Sequence, residues 1–231
     1  MRDREIDAIL EQAAGTPHDV DPALLDRIAN SVGRSFAAVR PVRPAWVLGT
    51  GLILICAAAA VAFAALVGFH GIRKLSGWER ALVFPVLAIL VWLAATTRVA
   101  EVTPGSRRRV SPDSLLAIVT LALLAVFSVL FHDYHTHQFL GGVACLKAGL
   151  VDAIPASIAS WLLVRRGFAV NSVASGLVAG TLAGLAGVVM LELHCPNFEA
   201  LHVLFWHTAV VPSAAVAGAL LEWLRGLAAR T

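Results

Sequence analysis

The chain has three cysteines and eight histidines, and most of them gather in its second half. His132, His135 and His137 stand together with Asp133; His194 adjoins Cys195, with Glu192 and Glu199 on either side, and His202 follows. Thiolate and imidazole together suit a soft or borderline metal ion. Cys145 and Cys195 with His194, His132, His135 and His137 therefore make a chemically sensible mixed site, with a metal ion as a signal rather than a resident cofactor. The competing reading is that these histidines are amphipathic anchors at a membrane surface. Neither CxxC nor HExxH occurs, and the single Glu-x-x-His step from Glu199 to His202 falls short of the two steps and extra carboxylates of a di-iron bundle. Spacing alone leaves three readings of the outer thiols open: a structural disulfide, a thiol or metal sensor, or two unrelated cysteines. Cys56 reads as an apolar filler.

The elements carrying these residues are those of a membrane protein. Of 231 residues 58% are hydrophobic and 14% charged, against about 25% charged in soluble domains, and mean hydropathy is +0.79. Three cysteines are too few for a disulfide scaffold, and a net charge of +3 on scattered arginines makes no nucleic-acid patch. The apolar residues fall in blocks of about 17 to 25, the length needed to cross a hydrocarbon core. The expected spans are 45–69, 81–97, 115–131, 143–164, 168–191 and 201–224, and residues 1–44 form a separate extramembranous region. A polar segment of that length is not a signal-peptide n-region, so the first span is expected to stay in the mature chain. The fold class is all-α, a polytopic six-helix bundle with a short helical N-terminal region.

Counting Lys and Arg near the span ends puts eleven on one side (Arg34, Arg40, Arg43, Arg98, Arg107, Arg108, Arg109, Arg165, Arg166, Arg225, Arg230) and four on the other (Arg73, Lys74, Arg80, Lys147). The positive-inside rule then predicts both termini cytoplasmic. Cys145 opens the fourth span and Cys195 follows the fifth; two crossings separate them, so both are expected at the outer face. Asp152 and His207 lie deeper, at similar depth, and are expected to pair across spans four and six. Gly176, Gly180, Gly184 and Gly187 mark a close-packing face on the fifth span.

The N-terminal region holds two amphipathic helix patterns. One carries Ile6, Ile9 and Leu10; the other starts at Asp21-Pro22 and carries Leu25, Ile28 and Val32. Residues 1–33 hold three Arg and seven acidic residues, net −4, which suits a partner with a basic surface and helix-in-groove anchoring by those apolar residues.

The order of motifs resembles the NrsF-type family of membrane anti-sigma factors, negative regulators of sigma-F-like extracytoplasmic-function sigma factors. The residues that carry it are Arg40-Pro41-Val42-Arg43-Pro44, Cys145-Leu146 with Gly149, Pro155, Arg165-Arg166-Gly167, the glycine-rich fifth span, His194-Cys195-Pro196 and Trp206-His207, covering Arg40 to Arg225. The resemblance implies a cytoplasmic N-terminal part that holds a sigma factor inactive, and a response to envelope redox or heavy-metal stress that depends on Cys145 and Cys195. It implies no catalysis and no direct nucleic-acid contact. The alternative class is a small transporter or a membrane thiol oxidoreductase; the first would show internal repeats and broken helices, the second a reactive CxxC.

Overall fold

The computed structural model describes residues 21–35, 44–103, 106, 110–134, 139, 141–165 and 171–228. The chain divides into two compact units, Met1–Pro41 and Val42–Thr231. In the first, α1 (Pro22–Ser35) starts where Asp21 caps it, its Oδ1 accepting the Ala23 N–H at 2.9 Å. Proline at the first helical position gives up only an N–H that would go unused there. Leu24, Leu25 and Ile28 are exposed on this helix. Of the other expected partner-binding residues, Val32 falls within α1, and Ile6, Ile9 and Leu10 lie outside the described residues.

The second unit contains α2 (Ala45–Val67), α3 (Gly71–Lys74), α4 (Gly77–Val102), α5 (Pro112–Leu130), α6 (Gly142–Val164), α7 (Ser172–His194) and α8 (Ala200–Ala228). All but α3 are long and apolar enough to cross a bilayer, and no strand occurs among the described residues. The six-helix all-α class expected from the sequence is the one found.

Helix ends depart from the charge-free blocks for local reasons. α4 begins four residues earlier than its block because Ser76 and Glu79 form a capping box, Ser76 Oγ accepting the Glu79 N–H and Glu79 Oε2 the Ser76 N–H. It continues past Arg98 because that arginine is buried, its Nη1 donating to the Ser175 carbonyl at 3.0 Å and to Ser175 Oγ, which fastens α4 to the start of α7. α5 starts at Ser111-Pro112, with Ser111 Oγ accepting from the Ser114 N–H. α7 starts under Asn171, whose Oδ1 accepts the Ala174 N–H at 3.0 Å, and runs three residues beyond Leu191 to His194. Pro85, Pro155 and Pro212 sit inside α4, α6 and α8.

α7 is the core of the bundle. It packs most extensively on α8 and also against α6, α2 and α4, and nearly all of it from Ser175 to Leu193 is buried. Such a helix needs small residues, because lipid tails supply no hydrophobic drive between helices and association depends on close contact. A methyl group on Gly176 would meet the Gly218 carbonyl of α8; on Gly180, the Ala214 carbonyl; on Gly187, the Gly149 carbonyl of α6. The obstacles are backbone atoms, which cannot rotate away.

Gly180→Val is therefore expected to cost at least about 1–3 kcal/mol, read as a lower apparent Tm of the chain in detergent. Gly226→Ala is the control, since a methyl there meets nothing within 4 Å, and it is expected to leave Tm unchanged.

Candidate functional site

Three chain segments meet at one end of the bundle. The first turn of α6 carries Cys145. α7 ends at His194, and Cys195 caps it, its N–H donating to the Leu191 carbonyl at 2.7 Å. α8 begins at Ala200, whose N–H donates to the Asp133 carbonyl at 2.6 Å, and within one turn it widens into a π-helical turn, Val203–His207. Trp206 locks this turn to the loop before α6, its Nε1–H donating to the Phe139 carbonyl at 2.7 Å, and Gly142 leaves room for the indole. Phe131 stacks on Phe198 at 5.2 Å on the neighbouring side.

These elements bring the two expected thiols together. Cys145 Sγ lies 3.4 Å from Cys195 Sγ, and both are free thiols. Cys195 Sγ is also 3.6 Å from His202 Nε2 and 3.8 Å from the Asn197 carbonyl. His207 joins them: one ligand atom from each of Cys145, Cys195, His202 and His207 lies within 4.8 Å of all the others. The Cys195 thiol, just beyond the helix, is pushed up, first by its contact with Cys145 and then by burial. A ligand that takes this sulfur must displace its proton.

Behind the thiols a buried carboxylate holds one imidazole. His207 Nδ1 is 2.8 Å from Glu192 Oε1, and both side chains are fully buried. This corrects the expected Asp152–His207 pair. Equal depth does not fix direction around a helix, and because α7 runs on past Leu191, Glu192 faces the interior instead of lying in a loop. Asp152 is also fully buried, with no hydrogen-bond partner for either carboxylate oxygen among the described residues.

The histidines expected beside the cysteines are placed elsewhere. His194 turns away from the thiols: its Nδ1 is 2.9 Å from the Gly68 carbonyl and its ring meets His70 edge-on at 5.9 Å. Gly68 has φ +102°, a conformation that favours glycine, which is how the α2–α3 link presents that carbonyl. His132 is exposed, and His135 and His137 lie outside the described residues. The sequence placed His202 on the same side as the thiols but outside the expected metal set, and it paired His207 with Asp152. His202 and His207 are five residues apart, which in an α-helix puts them about 140° apart around the axis. In a π-turn, closed by i→i+5 bonds, that spacing brings them onto one side, and here their rings meet edge-on at 5.3 Å.

The family model described as negative regulator of sigma F, NrsF, matches residues 34–225. The chain belongs to this family. As an NrsF protein it is a negative regulator of a sigma factor, an anti-sigma factor, and the family is regulatory rather than catalytic. The matched stretch contains the bundle as far as Arg225 in α8 and its thiol–imidazole cluster, and only the last two residues of α1. No curated protein and no solved structure matches the chain.

The geometry makes a direct prediction. Diamide treatment of the reduced chain is expected to give an intramolecular disulfide between Cys145 and Cys195, with Cys56, only 2% exposed, left as a free thiol in peptide mass mapping. A cross-link involving Cys56 would contradict it.

Proposed function

We propose that this NrsF protein sequesters an extracytoplasmic-function sigma factor through its N-terminal region at the cytoplasmic face of the inner membrane, and releases it when Cys145 and Cys195 meet an envelope oxidant or heavy metal. The observation that carries this reading is the thiol pair at 3.4 Å, half-open at Cys145 and buried at Cys195. Two thiols in contact can exchange their shared state for a disulfide or a shared metal ion, and either change alters the join between α6 and the end of α7.

Sidedness is supported by two arguments. The Cys195 carbonyl lies against Gly71, just after α2, whereas Ala45 opens that 23-residue helix at its other end, about 34 Å away at 1.5 Å per residue. The lopsided Arg and Lys count assigns the Ala45 end to the cytoplasm. The N-terminal region then shares a compartment with a sigma factor, and the thiols sample the envelope. The exposed Leu24, Leu25 and Ile28 of α1 are apolar anchors of the kind a helix uses to fill a partner's groove. The acidic residues around them favour a partner face built to contact DNA. The signal must stabilise the released state more than the holding state, because a ligand shifts an equilibrium only by its differential affinity. The central position of α7, packed on α8, α6, α2, α4, α5 and α3, gives a change at its end several routes through the bundle.

The double variant Leu25→Asp, Ile28→Asp is expected to weaken capture of the sigma factor by the full chain more than tenfold, read by co-purification from membranes. Cys195→Ser is expected to keep resting capture and lose release by diamide or Cd2+; a variant that still responds would remove the thiols from the mechanism. An impermeant maleimide applied to intact cells should label Cys145 in the reduced chain, and protection there would overturn the orientation.

A further inference from the structure

The geometry points to a specific ligand set: Cys145, Cys195, His202 and His207 form a closed four-coordinate site for a thiophilic metal ion of the zinc and cadmium class, with Glu192 orienting His207 from behind. This rests on the reading of the thiol pair as the input and names what the input binds.

Four observations converge on it. The first is size. A tetrahedral ion with metal–nitrogen bonds near 2.0 Å and metal–sulfur bonds near 2.3 Å separates its ligand atoms by about 3.3–3.8 Å. The Cys145–Cys195 and Cys195–His202 separations are 3.4 and 3.6 Å, and every remaining pair is within 4.8 Å, so small side-chain rotations suffice to close the polyhedron.

The second is an orphaned nitrogen. His207 is completely buried, its Nδ1 is committed to Glu192, and its Nε2 makes no hydrogen bond of ordinary length among the described residues, although the imidazole interacts with the Cys145 thiol. A buried imidazole nitrogen without a hydrogen bond is destabilising, and a metal ion is one partner that would recover the loss. With Glu192 ionised, the carboxylate–imidazole contact places the proton on Nδ1, which leaves the Nε2 lone pair of the neutral ring to ligate. Second-shell carboxylates serve metal-binding histidines in this way.

Charge balance is the third. On binding, a divalent ion replaces the two thiol protons, and the two thiolates neutralise it, so the coordination sphere carries no net charge in an apolar setting where a bare charge is costly. No electron is transferred, which separates this event from disulfide formation. That reaction also removes both thiol protons but needs an oxidant to accept two electrons.

The fourth is enclosure. His202, His207 and Cys195 are buried and Cys145 is half-buried, so an ion has one edge to enter by, and four protein ligands leave no position for substrate. A site of this kind holds or senses metal rather than performing catalysis. Two sulfurs and two imidazoles select against magnesium and calcium, which prefer oxygen ligands. Oxidation requires only the cysteines; metal binding requires the histidines as well.

Cobalt(II) is the probe, titrated into the reduced full-length chain in detergent and read by its ligand-field and thiolate charge-transfer bands. The expected result is one tetrahedral cobalt per chain, displaced by Cd2+. Cys145→Ser and Cys195→Ser should lose the thiolate-to-cobalt band of the pair, and His202→Gln and His207→Gln should each weaken binding at least tenfold and change the ligand-field pattern. Glu192→Gln is expected to weaken binding about 10- to 100-fold with the pattern kept. Cys56→Ser, whose thiol lies inside α2, should bind like the parent.

Diamide closure of Cys145 to Cys195 in the histidine variants verifies that their bundle end is intact. With that established, parent-like cobalt affinity and spectrum in both histidine variants would overturn the four-ligand site, as would absence of cobalt binding to the parent. Co-purified sigma factor separates the two levels. Cobalt bound as described with the sigma factor still held confirms the site and refutes the sensing reading. Release by diamide with no cobalt binding refutes the site and keeps the thiols as the input.

Discussion

Backbone lies on backbone where α7 crosses α8, and the arrangement of everything else follows from that contact. Gly176, Gly180 and Gly218 have no side chain to hold the two helices apart, so the pair approaches more closely than larger residues would permit. A five-residue link, 195–199, is then enough to turn the chain from one helix into the next. Cys195, on that link, and His202 and His207, just after it, are delivered to the same corner as Glu192. α6 closes the corner because Gly149 and Gly187 repeat the arrangement on a second face of α7, and Cys145 rides on α6 one turn from its end. The chemistry at one end of the bundle thus depends on glycines spread along its length.

Polar groups inside this bundle are few, and their placement follows from what burial costs. Glu192 and His207 answer each other, and Arg98 is held by Ser175 at the opposite end of α7. Each ties α7 to a different neighbour, α8 in one case and α4 in the other. An ionisable side chain in a low-dielectric interior is tolerated when such a partner is fixed in place, and Asp152, buried with no hydrogen bond to its carboxylate among the described residues, is the exception. The central helix is therefore pinned by polar contacts at both ends and by shape along its middle.

The number of spans was legible because each is an apolar block longer than a soluble helix face requires. Their ends were less so. A block ends where charge begins, whereas a helix ends where its capping groups are satisfied, and Ser76, Asn171 and buried Arg98 separate those two criteria by up to five residues. That small error had a large effect at the site. Ending the fifth span at Leu191 put Glu192 in a loop, and Asp152 was then the only acid left at the depth of His207. Counting crossings placed Cys145 and Cys195 at the same end of the bundle, and only packing could bring them into contact. That His202 and His207 share a face was hidden for another reason: helical periodicity assumes 3.6 residues per turn, and this turn does not obey it.

That wide turn has a wider consequence. Relative to an α-helix, a π-turn holds one surplus residue, which throws everything after it out of phase by about 100°. The two halves of α8 are consequently aimed independently: the stretch before Thr208 answers to the thiols, and the stretch after it answers to the glycine seam on α7. Deleting a single residue between His202 and His207 would leave a continuous hydrophobic segment that still spans, yet it could satisfy only one of those two alignments at a time.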